Sequence, residues 1–366
     1  MLTQAYELII DSKVKPSPFA IVSADDFQSH TGRHLDPHVI LERPTVSLYC
    51  LDHDNRRALF VDTSPETNLL QAPFYFIAQY EAAQRLISVP YDILHTLARE
   101  VDLNPERIIL LYSTGRCGST LLSHVMNLNP SVVSFAEPDV FSQLVMLRTS
   151  GQSDDAEVAS LLYDSLMIMC ANARQQGFQY WAFKFRSYVL SVSDLLYRVV
   201  PKVKILFLYR DGRTWARSFS RAFGLSDAQL ERGLVKSRYL IPSVNDFVKT
   251  NTRPISWLEY LANMWVSTMH DSTWLKQQRA AIACARFEDL KVRPQAVIQS
   301  LLTHCELPLP DPNQLAKILA IDSQAGTTGA QDRGEPARLL TDDDLAKLER
   351  IIRELDPGLA PDTILR

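Results

Sequence analysis

The sequence predicts an α/β fold built on a parallel sheet, and three observations carry that expectation. From Arg107 onward, short apolar runs alternate with amphipathic helical stretches, as strands and crossover helices do. The run 108–112 (IILLY) is apolar throughout, which suits a central strand covered on both faces. A glycine-containing loop then leads into a helical stretch, and a later strand run closes on Arg210.

Residues 1–100 read as an α+β extension without an interpretable motif. Within it, 45–51 and 58–62 are expected strands parted by the polar turn 52–57, and 74–101 is expected to be mostly helical, interrupted at Pro90. Residues 101–366 form the second region. Its expected strands are 108–112, 181–185, 203–209 and 281–285, and its helices 120–127, 189–198, 213–223 and 257–276. Pro294 suits the first turn of a helix running to about Cys305. Thr341 caps a last helix to Leu355, with Asp342, Asp343 and Asp344 at the end where the dipole favours acids.

Across 366 residues the chain is 46% hydrophobic and 22% charged, the composition of an ordinary globular protein with a sizeable core. A net charge of −4 excludes a whole-surface nucleic-acid binder, so any anion site is local. The first residues lack a basic segment followed by a long apolar run, and no signal peptide is expected. No stretch approaches the ~18 apolar residues that span a bilayer. Five scattered cysteines, in no metal-ligand spacing, read as reduced thiols of a cytoplasmic protein.

The loop Ser113-Thr114-Gly115-Arg116-Cys117-Gly118-Ser119-Thr120 runs from a strand into a helix, an arrangement that cradles phosphate through backbone N–H groups and the helix dipole. The nucleotide-hydrolase loop G-x-x-x-x-G-K-[ST] is absent, because Gly118 stands where its lysine would be. The basic residue lies inside the loop, at Arg116, which points to an anion needing no metal. A plain strand-to-helix turn would use the same glycines. Cys117 is a thiol at a helix start or a small residue in a crowded loop.

A second anion site is expected where the third strand ends. Arg210 sits at a carboxyl strand end, the rim where open α/β sheets bind ligands, and Ser218 follows on the next helix. The two can converge on one phosphate. Arg213, Arg217 and Arg221 form a row at i, i+4 and i+8, and for the latter two a solvated or carboxylate-paired face is preferred.

Tyr112–Leu122 (YSTGRCGSTLL) and Leu208–Ser218 (LYRDGRTWARS) resemble, in order, the two nucleotide-binding motifs of the sulfotransferases that use 3′-phosphoadenosine 5′-phosphosulfate (PAPS). The segment Ala285-Arg286-Phe287-Glu288-Asp289-Leu290, followed by Pro294 and Leu307-Pro308, is similar to a third. The resemblance covers about residues 107–310. It implies a P-loop-type three-layer parallel sheet flanked by helices, with PAPS as donor and no metal. The 5′-phosphosulfate would lie in residues 113–120 and the 3′-phosphate on Arg210 and Ser218.

The histidine base of the cytosolic small-molecule enzymes has no counterpart, since the matching place reads Lys184-Phe185-Arg186. Glu137 instead stands at the offset of the base in tyrosylprotein sulfotransferases, 21 residues after Arg116, and Pro138 is expected to open a helix there. A helix-start acid or a salt bridge would also account for Glu137. By the same resemblance Arg116 acts on the bridging and sulfuryl oxygens, and Arg333-Gly334 would return to the 3′-phosphate unless it is a plain connector. The expected acceptor is a small molecule rather than a protein. The competing readings are an ATP-dependent phosphotransferase and a non-catalytic nucleotide-binding module.

Overall fold

A computed structural model of the chain describes residues 4–278, 280–321 and 336–365. Arg333 and Gly334 lie outside the described residues. Among the described residues the strands are, in chain order, β1 (Ala5–Lys13), β2 (Phe27–Leu35), β3 (Val46–Asp52), β4 (Arg57–Asp62), β5 (Arg85–Pro90), β6 (Ile108–Ser113), β7 (Val132–Ala136), β8 (Tyr180–Lys184), β9 (Lys204–Tyr209) and β10 (Ile282–Arg286). The protein is α/β, with a five-stranded parallel sheet flanked by helices, as the sequence predicts. No helix among the described residues is long and apolar enough to cross a membrane.

The chain divides into two compact units. One comprises Met1–Ile108, Pro130–Phe185 and Leu195–Val203. It holds an antiparallel sheet in the order β2-β1-β5-β4-β3. β3 and β4 are buried along almost their whole length, because their apolar runs face packed neighbours on both sides. The helices Val140–Ser150 and Asp155–Gln175 pack against β3. Gln143 fixes that edge strand, donating from Nε2 to the Leu51 carbonyl at 2.5 Å and accepting the Leu51 N–H at 2.7 Å.

Two expectations need correction in this unit. Residues 74–101 are not one interrupted helix. Between helices Tyr75–Ala82 and Tyr91–Glu100, the stretch RLISVP forms β5, paired with both β1 and β4. Flanking helical periodicity hid a β-branched run too short to announce itself. Residues 132–136 form β7, parallel to β8 in register Ala136↔Lys184. The helix beyond it starts at Val140, not at Pro138, with Asp139 at the N-cap.

The other unit comprises Ile109–Asn129, Arg186–Asp194 and Lys204–Arg366. In it β9 pairs in parallel with β6 on one side and β10 on the other. The registers Ser113↔Leu208 and Arg286↔Tyr209 set the three carboxyl ends level, so the following loops share one rim. The helices Ser119–Met126, Gly212–Phe223, Trp257–Gln277, Pro294–His304 and Asp342–Leu355 lie within two residues of the expected bounds. Thr341 and Asp344 form a reciprocal capping box on the last of these.

Candidate functional site

The loop after β6 is shaped by backbone that glycine alone tolerates well. Gly118 has φ +86° and is the N-cap of helix Ser119–Met126. A Cβ there would meet Leu290 Cδ2 at 2.7 Å, so both conformation and space demand its absence. Having no side chain, Gly118 cannot cap the helix itself, which leaves the dipole's positive end facing the loop. Arg116 is held at φ +56°, a left-handed conformation that costs a non-glycine residue about 1–2 kcal/mol. Cys117 is fully buried and donates its S–H to the Leu208 carbonyl at 3.3 Å, as a small residue filling a crowded loop.

The loop after β9 meets this one directly. Arg210 Nη1 donates to the Arg116 carbonyl at 3.1 Å, and Nε donates to Thr214 Oγ1 at 3.1 Å. Its guanidinium lies over the Phe287 ring, 4.6 Å from the centroid. Burial pushes its pKa down from the ordinary arginine value. Arg116 Nε in turn donates to Ser218 Oγ at 3.3 Å. Arg116, Arg210 and Ser218 therefore form one hydrogen-bonded cluster that joins the two loops expected to bind anions.

Two tryptophans given no role from the sequence hold this cluster in place. Trp215 Nε1 donates to the Thr114 carbonyl at 2.8 Å, and Trp265 Nε1 to the Arg210 carbonyl at 3.1 Å. Both indoles are almost wholly buried, so each bond fixes backbone from a rigid ring. The 285–290 segment lies against both loops: a side chain at Gly118 would run into Leu290 and Phe287, and Glu288 accepts from Thr214 Oγ1 at 3.1 Å. Arg286 Nε pairs with Glu288 at 3.1 Å. The helical spacing of Trp215 on Gly212–Phe223 was the available signal.

The two helix N-termini differ. That of Gly212–Phe223 is closed, since Asp211 accepts the N–H groups of Arg213 and Thr214 and the Pro361 carbonyl accepts that of Gly212. Two of the three arginines along this helix are carboxylate-paired: Arg217 contacts Asp342, and Arg213 lies 3.9 Å from Glu349. Arg221 is exposed.

Glu137 belongs to the other unit. It follows β7 directly, with φ +64°, and its N–H donates to the Lys184 carbonyl at 2.7 Å. Lys184, at the carboxyl end of β8, donates from Nζ to Glu137 Oε1 at 2.5 Å. The lysine side chain is 3% exposed and the glutamate 16%. A salt bridge was one of the explanations open for Glu137, and its lysine partner was not foreseen. Among the described residues no group of three or more His, Cys, Asp or Glu side chains is arranged to hold a metal ion.

Residues 109–311, more than half of the chain, match the model of the sulfotransferase family. No curated protein matches the sequence. Solved structures similar to it include sulfotransferase STF9 from Mycobacterium avium, 13% identical over 74% of this chain and 82% of that one, with a TM-score of 0.42. A sulfotransferase from Alicyclobacillus acidocaldarius is 13% identical over 69% and 96%, with a TM-score of 0.38. Mouse sulfotransferase SULT7A1, complexed with PAP, is 13% identical over 73% and 90%, with a TM-score of 0.40.

Proposed function

The chain belongs to the sulfotransferase family, and from that premise we propose that it moves a sulfuryl group from PAPS to a hydroxyl or amine of a small-molecule acceptor, using the Arg116–Arg210–Ser218 cluster to hold the donor. The observation that carries this reading is the cluster itself: two guanidiniums and a hydroxyl joined by hydrogen bonds beside a helix start that no side chain caps. A ligand with anionic groups at two ends needs such a pair of neighbouring cations.

In this reading residues 113–120 receive the 5′-phosphosulfate, with the amides of Gly118, Ser119 and Thr120 at the helix start. Arg116 stabilises charge that develops on the bridging oxygen, and Arg210 with Ser218 binds the 3′-phosphate. The bound donor supplies an already activated sulfuryl group, so the protein's part is positioning and fixed positive charge. Glu137 accepts the acceptor's proton, and Lys184 fixes the orientation of that carboxylate through its hydrogen bond. The assignment calls for no metal, because Gly118 replaces the lysine of the Mg-nucleotide loop. None of the five cysteines is in a disulfide, which suits the cytoplasm.

Calorimetric titration with adenosine 3′,5′-bisphosphate (PAP) and with Mg-ATP tests the donor, and transfer of radiolabelled sulfate from PAPS into pooled small metabolites tests the reaction. Tighter binding of Mg-ATP than of PAP would replace this reading by phosphotransfer. PAP binding without any transfer would reduce the protein to a nucleotide-binding module.

A further inference from the structure

We propose that the segment 356–365 is a positioning clasp for Arg210, setting the enzyme's preference for a nucleotide that carries a 3′-phosphate; this rests on the assignment of Arg210 to that phosphate. The segment holds the neighbours of Arg210 at two points, one on backbone and one on a side chain. The Gly212 N–H donates to the Pro361 carbonyl at 2.8 Å, and the Leu365 N–H donates to Tyr209 Oη at 3.0 Å. Trp265 holds the third point, the Arg210 carbonyl, at 3.1 Å. The backbone at 210 and 212 and the Tyr209 side chain are thus held by groups distant in sequence.

Packing tightens the same grip. A Cβ on Gly212 would lie 3.3 Å from Pro361 Cα and 3.3 Å from Trp265 Cε2, so the glycine is sandwiched between proline and indole. Pro361 is buried, and Tyr209 is 2% exposed and stacked on Phe207. The segment is itself ordered by local bonds. Asp356 accepts from Gly358 N–H at 2.7 Å and contacts His270. Ala360 N–H donates to Thr363 Oγ1 at 2.8 Å, and Thr363 N–H returns to the Ala360 carbonyl at 2.9 Å.

The chemical consequence follows from the closed helix start at Gly212. With Asp211 and Pro361 accepting its first N–H groups, that helix offers an anion no free amide there, and recognition passes to side chains. A bidentate guanidinium contact depends steeply on placement, and a misplacement of about 1 Å can cost a hundredfold. The segment that holds the Gly212 backbone and the Tyr209 hydroxyl on either side of Arg210 therefore sets how well a 3′-phosphate is told from its absence.

The test compares the affinities of PAP and of AMP, which lacks the 3′-phosphate, by calorimetry, together with KM for PAPS and kcat. Two variants are used: a chain ended after Ala360, and full-length Tyr209→Phe, which keeps the ring and removes the acceptor for Leu365. Thermal melting identifies folded protein. The clasp predicts that PAP affinity falls about tenfold in the shortened chain and about threefold in Tyr209→Phe, the range for one or two lost hydrogen bonds. AMP affinity should stay within about twofold, and KM for PAPS should rise more than kcat falls. An unchanged PAP-to-AMP ratio in folded Tyr209→Phe overturns the clasp, as does an equal loss for both nucleotides. A wild-type protein that binds the two equally well instead overturns the assignment of Arg210 itself.

Discussion

Removing either partner of the Lys184–Glu137 pair should destabilise the protein unequally, and the inequality can be worked from exposure. Breaking a buried ion pair by deleting one partner costs about 3–5 kcal/mol, because the remaining charge is left in a poor dielectric. Lys184 is 3% exposed and Glu137 16%. Glu137→Gln therefore strands an ammonium with almost no access to water, although the amide oxygen still accepts from it; the expected cost is about 3 kcal/mol, the bottom of that range. Lys184→Met strands a carboxylate that reaches solvent, and its methylene stem is replaced by one of similar volume. The expected cost is about 1–2 kcal/mol. The double variant should recover much of the loss, giving a coupling above about 1 kcal/mol in a double-mutant cycle. Urea unfolding of the four proteins measures each quantity. A larger cost for Lys184→Met than for Glu137→Gln would refute the reasoning from exposure, and strictly additive effects would show that the pair stabilises nothing. Turnover of Glu137→Gln is read at a temperature where it remains folded, and should fall about 10²–10⁴-fold if Glu137 is the base.

Four further outcomes follow from the same geometry. Arg210→Ala should weaken PAP binding by about 1.5–3 kcal/mol in calorimetry, the worth of a hydrogen bond to a charged group; unchanged affinity removes Arg210 from the site. Gly118→Ala should lose PAP binding and lower the melting temperature, since its Cβ meets Leu290 at 2.7 Å; a variant that binds normally would mean the loop yields easily. Arg217→Ala should leave PAP affinity within about twofold, because this exposed arginine is engaged with Asp342. Finally, the hydrogen bond to Asp164 raises the pKa of His95 above its ordinary value. The stabilisation from that pair is complete below about pH 6.5, the unfolded value, and is lost as pH rises through the higher folded value. Unfolding free energies at pH 6 and pH 9 should differ, and His95→Gln should reduce the difference; an unchanged pH slope would count against the pair.

The parallel-sheet part of the fold was legible because its strands are continuous apolar runs and its helices carry ordinary start signals. Thr341 with Asp344, Pro294 and the caps around Gly212 all mark their elements within two residues. The N-terminal strands were harder to read. β1 is largely half-exposed and β2 largely exposed, so their alternation is diluted by polar residues on a wet face. β5 was lost between two helical patterns, and β7 beside the Asn129-Pro130 turn. In the candidate site, Arg116, Arg210 and Ser218 could be proposed from sequence because loop glycines and strand ends leave a local pattern. Lys184, Trp265 and Pro361 could not, because each acts through a partner between 47 and 149 positions away, and separation in sequence leaves no periodic trace.

In the proposed assignment, the contrast between the two helix starts gives the two ends of the donor two kinds of anion recognition. At Ser119 the helix opens on a glycine, and the dipole end is turned toward a loop that also carries Arg116. At Gly212 the N–H groups are consumed by Asp211 and Pro361, and a guanidinium and a hydroxyl stand beside them. Backbone amides bind any compact anion that reaches them, whereas a guanidinium demands a planar approach and tells one phosphate position from another. The first arrangement suits the end of the donor that must change charge during reaction, where fixed dipoles need no reorganisation. The second suits an end that only anchors. Arg116 joins the two, its carbonyl receiving Arg210 and its Nε meeting Ser218, so on the proposed assignment binding at the anchor bears on the residue beside the sulfuryl group. The left-handed conformation of Arg116 is the local strain that this junction imposes.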